Sequence, residues 1–557
     1  MAAGGAALTA SAPTVSAPPR RDRTGGRAER GPAPTWVLAL VPSAFLAVFF
    51  AWPLVTILGR GLSTDGLARL SDPYTWQVVR FTLLQAVLST LLTLALALPA
   101  AYVTSRLAFP GRRLLVAVMT VPFVLPTVVV GLAFRVVLPP DWVGTLGAIL
   151  VAHVFFNYAV VVRVVGGLWG QLDPRTLAAA RTLGASPWVA FRTVTWPLLR
   201  PAVVAATVLV FLFTFTSFGV VLLLGGPGTS TLEVEVYRRT AQLLDLPGAA
   251  VLAVLQMVLL GIVLLVGARV QATSAIAQAL RAPGTVGERV RTTGQRLLLA
   301  GVLLVVLVLL VVPMAALVVG SLRVHGSWGL AWWRALGSVD AGTTGSVAPW
   351  ASVVVSLRYA VVTSVLAVVV GGLAACAIAY AGRRGRVLDA VATLPLGTSA
   401  VTVGFGMVLA FSRPPLDLRA SWWLVPIAHT LVAIPLVLRT ALPVLRSVDP
   451  RLRQVAATLG ARPSRAWRSV ELPLLGRALA VGAGFAFAVS LGEFGATAFL
   501  ARTGTPTLPV QIATLLDRPG EVRYGAALAL ATVLMLVTVA TLLITELVQP
   551  AARRVGR

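Results

Sequence analysis

The residues of this sequence able to do chemistry are ionisable or polar side chains set within long apolar runs. Glu493 is the sharpest of them. It lies in "SLGEFGATAFL", twenty residues after Pro473, which is about 30 Å at 1.5 Å per helical residue. A carboxylate at that depth is costly in lipid, and three readings stand: it serves a path near the outer mouth, where it would suit a cationic substrate, it is wetted at the end of its span, or it pairs with a neighbouring arginine. His153 and His429 are similarly embedded, with Asn157 one turn from His153 on the same helical face. Either they are hydrogen-bonded ties between helices or they contact a substrate. Arg163 and Arg439 either snorkel to the interface or form an inner gate. No nucleophile-base set or metal-ligand cluster stands out, and the chain contains no lysine, so it has no phosphate-binding GxxxxGK[ST] loop. The single cysteine, Cys376, sits in an apolar run and excludes an intramolecular disulfide. No covalent chemistry and no bound cofactor or metal are expected of this polypeptide.

These groups must be positioned by membrane helices. Of 557 residues, 57% are hydrophobic and only 12% charged, too apolar for a soluble protein of this length. About twelve runs are long enough to cross a hydrocarbon core as helices, over 36–58, 81–104, 114–138, 146–170, 198–224, 248–268, 297–320, 355–381, 388–411, 422–445, 474–500 and 523–548. The expected class is an all-α integral membrane protein. The net charge of +27 is spread over short loops, which argues for membrane topology and against nucleic acid. Arginines gather in alternate loops: 105–113, 171–197, 269–296, 382–387 and 446–473, and also in both termini. By the positive-inside rule those loops and both termini face the cytoplasm. Loops bearing Asp65 with Arg69, or Glu233 with Arg238, should face outward.

The chain also repeats itself. "DPRTLAAARTLGASPWVAFRTVTWPLL" from Asp173 aligns without gaps on "DPRLRQVAATLGARPSRAWRSVELPLL" from Asp449, an offset of 276 residues. Twelve of the twenty-three residues in 177–199 are identical in 453–475. At the same offset His153 matches His429, Arg163 matches Arg439, Phe218-Gly219 matches Phe494-Gly495, and Ser217 stands where the second copy has Glu493. An even number of spans per copy makes the halves parallel, related by an axis along the membrane normal, with a path between them. The expected organisation is a disordered arm (1–35), a first six-span repeat (36–268), a linker (269–296), a second repeat (297–548) and a tail (549–557). The arm lacks the short apolar core of a cleavable signal.

Each copy of the repeated loop should hold two short helices with a bend between them. Gly184 can take the left-handed position that ends the first, and Ser186 and Pro187 can start the second. Pro197 should end that segment before the fifth span. Gly460, Pro463 and Pro473 repeat the punctuation. Phe191 with Arg192, and Trp467 with Arg468, form an aromatic-arginine anchor suited to a pocket on a partner. The alternative is an amphipathic helix lying at the membrane interface.

The order Ala-Ala, three residues, Gly, then Pro thirteen residues later resembles the "EAA" loop of permease subunits in binding-protein-dependent ABC importers. Ala179-Ala180, Gly184 and Pro197 fit in the first copy, and Ala456, Gly460 and Pro473 in the second. The position of that family's Glu is Ala178 here and Gln454 in the other copy. "VPFVLPTVVVGLAF" from Val121, "SFGVVLLLGGPGTSTLEVEVY" from Ser217 and "SLGEFGATAFL" from Ser490 extend the resemblance, over nearly the whole chain, to fused thiamine and ferric-iron permeases. The resemblance implies a bacterial inner-membrane permease whose two loops couple it to two copies of an ABC ATPase. ATP and Mg would be bound on those subunits, and an external binding protein would deliver a small cationic substrate. A secondary, ion-coupled twelve-span transporter is the competing class. It should show ionisable relays in several spans and no duplicated loop.

Overall fold

The computed structural model describes residues 35–274, 287–339, 347–382, 385–412, 414, 416–419, 421–502 and 504–548. The arm, the tail and the middle of the linker lie outside the described residues. The described residues are predominantly helical, and their named strands form two two-stranded pairings of two residues each. Among the described residues ten helices are long and apolar enough to cross a membrane, or eleven if one bent pair is counted as a span.

The repeat is visible in space. In the first half, Pro73–Arg106, Leu146–Gln171, Pro187–Phe215 and Leu246–Gln271 are long helices; in the second, Pro349–Tyr380, Leu424–Ser447, Ser464–Gly492 and Glu521–Thr545 are. Asp72 starts the first of these by accepting a hydrogen bond from the Tyr74 amide, with Pro73 at its first position. Between helices in lipid there is no hydrophobic drive, so contact comes from close packing of small residues. Accordingly, Ala97, Ala100 and Ala101 are fully buried where Pro73–Arg106 meets Leu146–Gln171, and a Cβ on Gly166 would stand 3.4 Å from the Ala101 carbonyl oxygen. Buried hydroxyls of Thr82, Thr90, Thr93 and Thr104 each donate to the carbonyl four residues back at 2.7 Å, so these four are satisfied within their own helix.

Two apolar runs read as single spans are broken. The run 114–138 becomes Arg112–Val124 and Thr127–Val137, bent by 108°. Leu125 is extended because Pro126 excludes it from helical geometry. The run 388–411 becomes Gly385–Thr393, a 3-10 turn through Pro395, and Ala400–Ala410, which Ser399 restarts by accepting from the amides of Val401 and Thr402. The fifth and eleventh spans also stop earlier than their hydropathy, at Phe215 and Gly492.

Four of the helix prolines share one device. Four π turns, Ala47–Ala51, Phe191–Thr195, Val306–Val311 and Trp467–Glu471, are each followed two residues later by a proline: Pro53, Pro197, Pro313 and Pro473. Proline has no N–H and its ring crowds the carbonyl four residues back; a widened turn makes room for it. Pro197 and Pro473 therefore do not end their segments. The helices run through them into the membrane.

The first helix of each half lies on the opposite half. Trp36–Gly61 packs on Pro349–Tyr380 and Ala400–Ala410 as well as on Leu246–Gln271, with Phe49 and Trp52 each 5.6 Å from the Phe411 ring. Thr293–Leu322 packs on Pro73–Arg106, Thr127–Val137 and the last helix. The linker, expected over 269–296, starts as a continuation of a helix to Ser274, and its Glu288–Arg289 pairs in parallel with Leu107–Ala108.

Candidate functional site

The two repeated loops fold alike. Asp173 caps Pro174–Thr182 by accepting from the Arg175 amide, and Asp449 caps Pro450–Thr458 through Arg451, both at 2.9 Å. Each short helix ends in a left-handed glycine, Gly184 with φ +87° and Gly460 with φ +79°. The Ser186 hydroxyl accepts from the Val189 amide to start the next helix at Pro187, and Pro463–Ala466 is its equivalent. Nothing lies within 4 Å of where a Cβ would stand on Gly184 or Gly460, so the positive φ alone requires glycine there.

Which side chains point outward differs from the sequence expectation. Phe191 and Trp467 are half-buried. Phe191 lies 6.4 Å from the Trp169 ring and stacks on Trp188 at 5.8 Å, because the π turn rotates it toward its own half. The outward apolar groups are Leu183 (89% exposed), Leu459 (82%) and Trp188 (67%). Arg192 and Arg468 are exposed, as are Ala179, Ala178 and Gln454, while Ala180 and Ala456 turn partly inward.

The loops are braced differently. In the second half Glu471, 2% exposed, accepts a hydrogen bond from the Tyr380 hydroxyl at 2.8 Å and meets the Arg453 guanidinium at 2.6 Å. The first half has Thr195, Thr104 and Leu177 at the corresponding positions, 276 residues earlier.

At the opposite end of the bundle the halves meet through aromatic rings. Phe218 and Phe494, equivalent residues of the two repeats, stack with centroids 5.1 Å apart and planes at 28°. Tyr237 meets Phe218 edge-on at 5.4 Å and Phe499 at 5.5 Å, and Phe499 meets Phe405 at 6.2 Å. A Cβ on Gly219 would come within 3.2 Å of the Phe494 ring and 2.3 Å of the Thr127 hydroxyl, so the approach of the halves needs glycine there.

The polar groups flank this stack. His153 bonds Ser89 through Nδ1 and Ser217 through Nε2, both at 2.9 Å, and the Asn157 amide donates to the His153 carbonyl. His429 bonds Ser490 at 2.8 Å and Thr497 at 2.7 Å. Both histidines are buried, with each ring nitrogen engaged on a neighbouring segment, which is the geometry of a helix tie. Glu493 is buried and, among the described residues, pairs with no arginine: it accepts from the amides of Ala496 and Thr497 and lies 3.5 Å from His429 Nε2. Its carboxylate turns the chain out of the eleventh span. Arg163 and Arg439 do not join these clusters. Both are exposed, ten residues beyond the paired histidines on the same helices, about 15 Å away.

Sequence reasoning missed Glu233, which it placed in an outward loop. The residue is 1% exposed, accepts from the Gln256 amide and meets Ser399 of the second half. It heads the helix Leu232–Ala241, which returns into the protein. The signal available was "TLEVEV", where each Glu is flanked by apolar residues. The Phe218 to Phe494 contact was foreshadowed by the equal offset of the two Phe-Gly pairs.

Comparison with known proteins agrees with this arrangement. The family model described as "Binding-protein-dependent transport system inner membrane component" matches residues 93–274 and again 367–554. The thiamine transport system permease protein ThiP of Escherichia coli (strain K12) is 29% identical over 508 residues, 86% of this chain and 88% of that protein. ThiP of Brucella abortus (strain 2308) is 28% identical over 535 residues, 90% of this chain and 93% of its own length. ThiP of Salmonella typhimurium is 29% identical over 500 residues, 85% of this chain and 89% of the relative. With the family's domain present twice, in two parallel halves that meet at equivalent residues, this chain belongs to the binding-protein-dependent transport system inner membrane components.

Proposed function

We propose that this chain is the complete membrane path of an ATP-driven importer for thiamine. Two ATPase subunits, carrying ATP and Mg, dock on the loops around Gly184 and Gly460. An external binding protein delivers the substrate at the aromatic end, where Phe218 and Phe494 close the path. Alternating access follows when ATPase closure moves the loops and parts the rings. The observation that carries this reading is the duplicated loop, bent twice at a left-handed glycine with an exposed leucine before it. An ion-coupled carrier has no use for two such loops. Thiamine is favoured over ferric iron because the three similar permeases above are named for thiamine transport and are matched nearly end to end.

The test is uptake by proteoliposomes holding the chain, its ATPase and its binding protein. ATP-dependent accumulation of labelled thiamine is expected. Uptake of ferric iron alone rejects the substrate, and uptake that needs no ATPase rejects the class.

Orientation can be checked separately. Cys376 is buried and gives little background to labelling. In intact cells an impermeant thiol reagent should modify Thr505→Cys, on the far side from the loops, whereas Thr182→Cys should react only after permeabilisation. Both positions are exposed. The reverse pattern would overturn the assignment of the loops and both termini to the cytoplasm.

A further inference from the structure

The cluster around Glu471 is not used by anything described so far. Its carboxylate sits in the π turn Trp467–Glu471, at the foot of the helix that ends at Gly492, just before Glu493. One oxygen takes the Tyr380 hydroxyl at 2.8 Å, from the last residue of Pro349–Tyr380. The other meets Arg453 at 2.6 Å, on the short helix Pro450–Thr458 that ends before Gly460. The Arg453 guanidinium also lies 5.6 Å from the centre of the Tyr380 ring. One buried carboxylate thus joins three segments: the loop helix, the span that follows the loop, and the first long helix of the family domain in that half.

A buried ion pair adds little to stability compared with apolar packing, yet removing one partner leaves an uncompensated charge and is strongly disruptive. Its use is to fix one geometry of the groups it joins. The first half has no such group: Thr195, Leu177 and Thr104 stand where Glu471, Arg453 and Tyr380 stand in the second. Beneath its loop Phe191 lies between Trp169 and Trp188, stacked on the second, and the charged contact there is that of Asp173 at the head of the loop helix with Arg106, in place of a carboxylate buried in the π turn. Stacked rings slide over one another at modest cost; a charge-assisted hydrogen bond is short and directional.

We propose that Glu471 is a positioning strut that makes the second loop the stiff one, so that displacement of the Pro450–Thr458 helix by its partner is passed directly to two spans, while the first loop yields. The two loops of this chain are therefore unequal transmitters. The inference rests on the importer reading above, and the readouts keep the two apart.

The experiment uses the whole complex in proteoliposomes and measures three things: ATPase subunits retained, ATP hydrolysed, and substrate moved per ATP. Glu471→Gln keeps the shape and removes the charge. It should retain both ATPase subunits and hydrolyse ATP within about twofold of wild type, while substrate moved per ATP falls about tenfold. Arg453→Lys, which preserves the charge but not the planar fork, should show only part of that loss. Thr195→Val, the matching change in the first half, should alter the ratio by less than about twofold. Wild-type substrate per ATP in Glu471→Gln overturns the strut, and an equal loss in Thr195→Val overturns the asymmetry. If Glu471→Gln fails to assemble, Arg453→Gln removes the pair from its partly exposed end, and an undiminished ratio there also overturns the proposal. Failure of the wild-type chain to retain any ATPase would refute the importer reading instead.

Discussion

A chain carrying Gly184→Val and Gly460→Val together is expected to lose its ATPase subunits on purification while its membrane helices stay folded. Both glycines hold φ near +80°, where an L residue costs about 1–2 kcal/mol and a β-branched one more. A Cβ at either position would meet no atom within 4 Å, so the whole effect acts on the bend and none on packing. Two sites give roughly 2–4 kcal/mol, or about 30- to 1,000-fold in the population of the docking geometry. Asparagine tolerates the left-handed region, so Gly184→Asn with Gly460→Asn should restore most of the retention. Copurified ATPase per chain, with the thermal unfolding midpoint of the permease as a control, reads both outcomes. Full retention in the double valine variant would remove the loops from the docking surface.

Removing both rings of the seal is expected to have the second largest effect. Phe218 and Phe494 are 5% and 4% exposed and face each other across the junction of the halves. The stack is worth about 0.5–1.5 kcal/mol beyond the area it buries, all of it realised only while the halves are closed at that end. Phe218→Ala with Phe494→Ala should therefore shift the balance toward the open state by about 2- to 13-fold from the stack alone. In proteoliposomes ATP hydrolysis without the binding protein should rise by about that factor, and net uptake should fall. Basal hydrolysis equal to wild type would mean that the rings do not hold the closed state.

The paired loops, the two parallel halves and the membrane class were legible because each rests on local signals: apolar runs, arginine distribution and punctuation by glycine and proline at a fixed offset. The glycine at Gly184 and the cap at Ser186 are local too, and the structure has them where the spacing implies. Hydropathy did not distinguish a straight span from a broken one. The run 114–138 stays apolar across its 108° bend, and only Pro122 and Pro126 mark the break. The same averaging carried the fifth and eleventh spans past Phe215 and Gly492. Glu233 and Glu493 were harder still, since burial of a carboxylate depends on donors brought from elsewhere: Gln256 and Ser399 for one, the turn at Ala496 and Thr497 for the other. The inward turn of Phe191 and Trp467 depends on the π turn beneath them. Sequence showed the proline that calls for that turn but not the rotation it imposes.

The exchange of first helices makes the two halves an interlocked pair. Trp36–Gly61 holds to the second half and Thr293–Leu322 to the first, so pulling the halves apart must strip a helix from each of them. The covalent connection through residues 275–286 is then not what keeps the halves together. A chain severed there would still be expected to travel as one particle, and what the continuous polypeptide secures is composition: one copy of each half, synthesised in equal number, with no chance of two identical halves pairing.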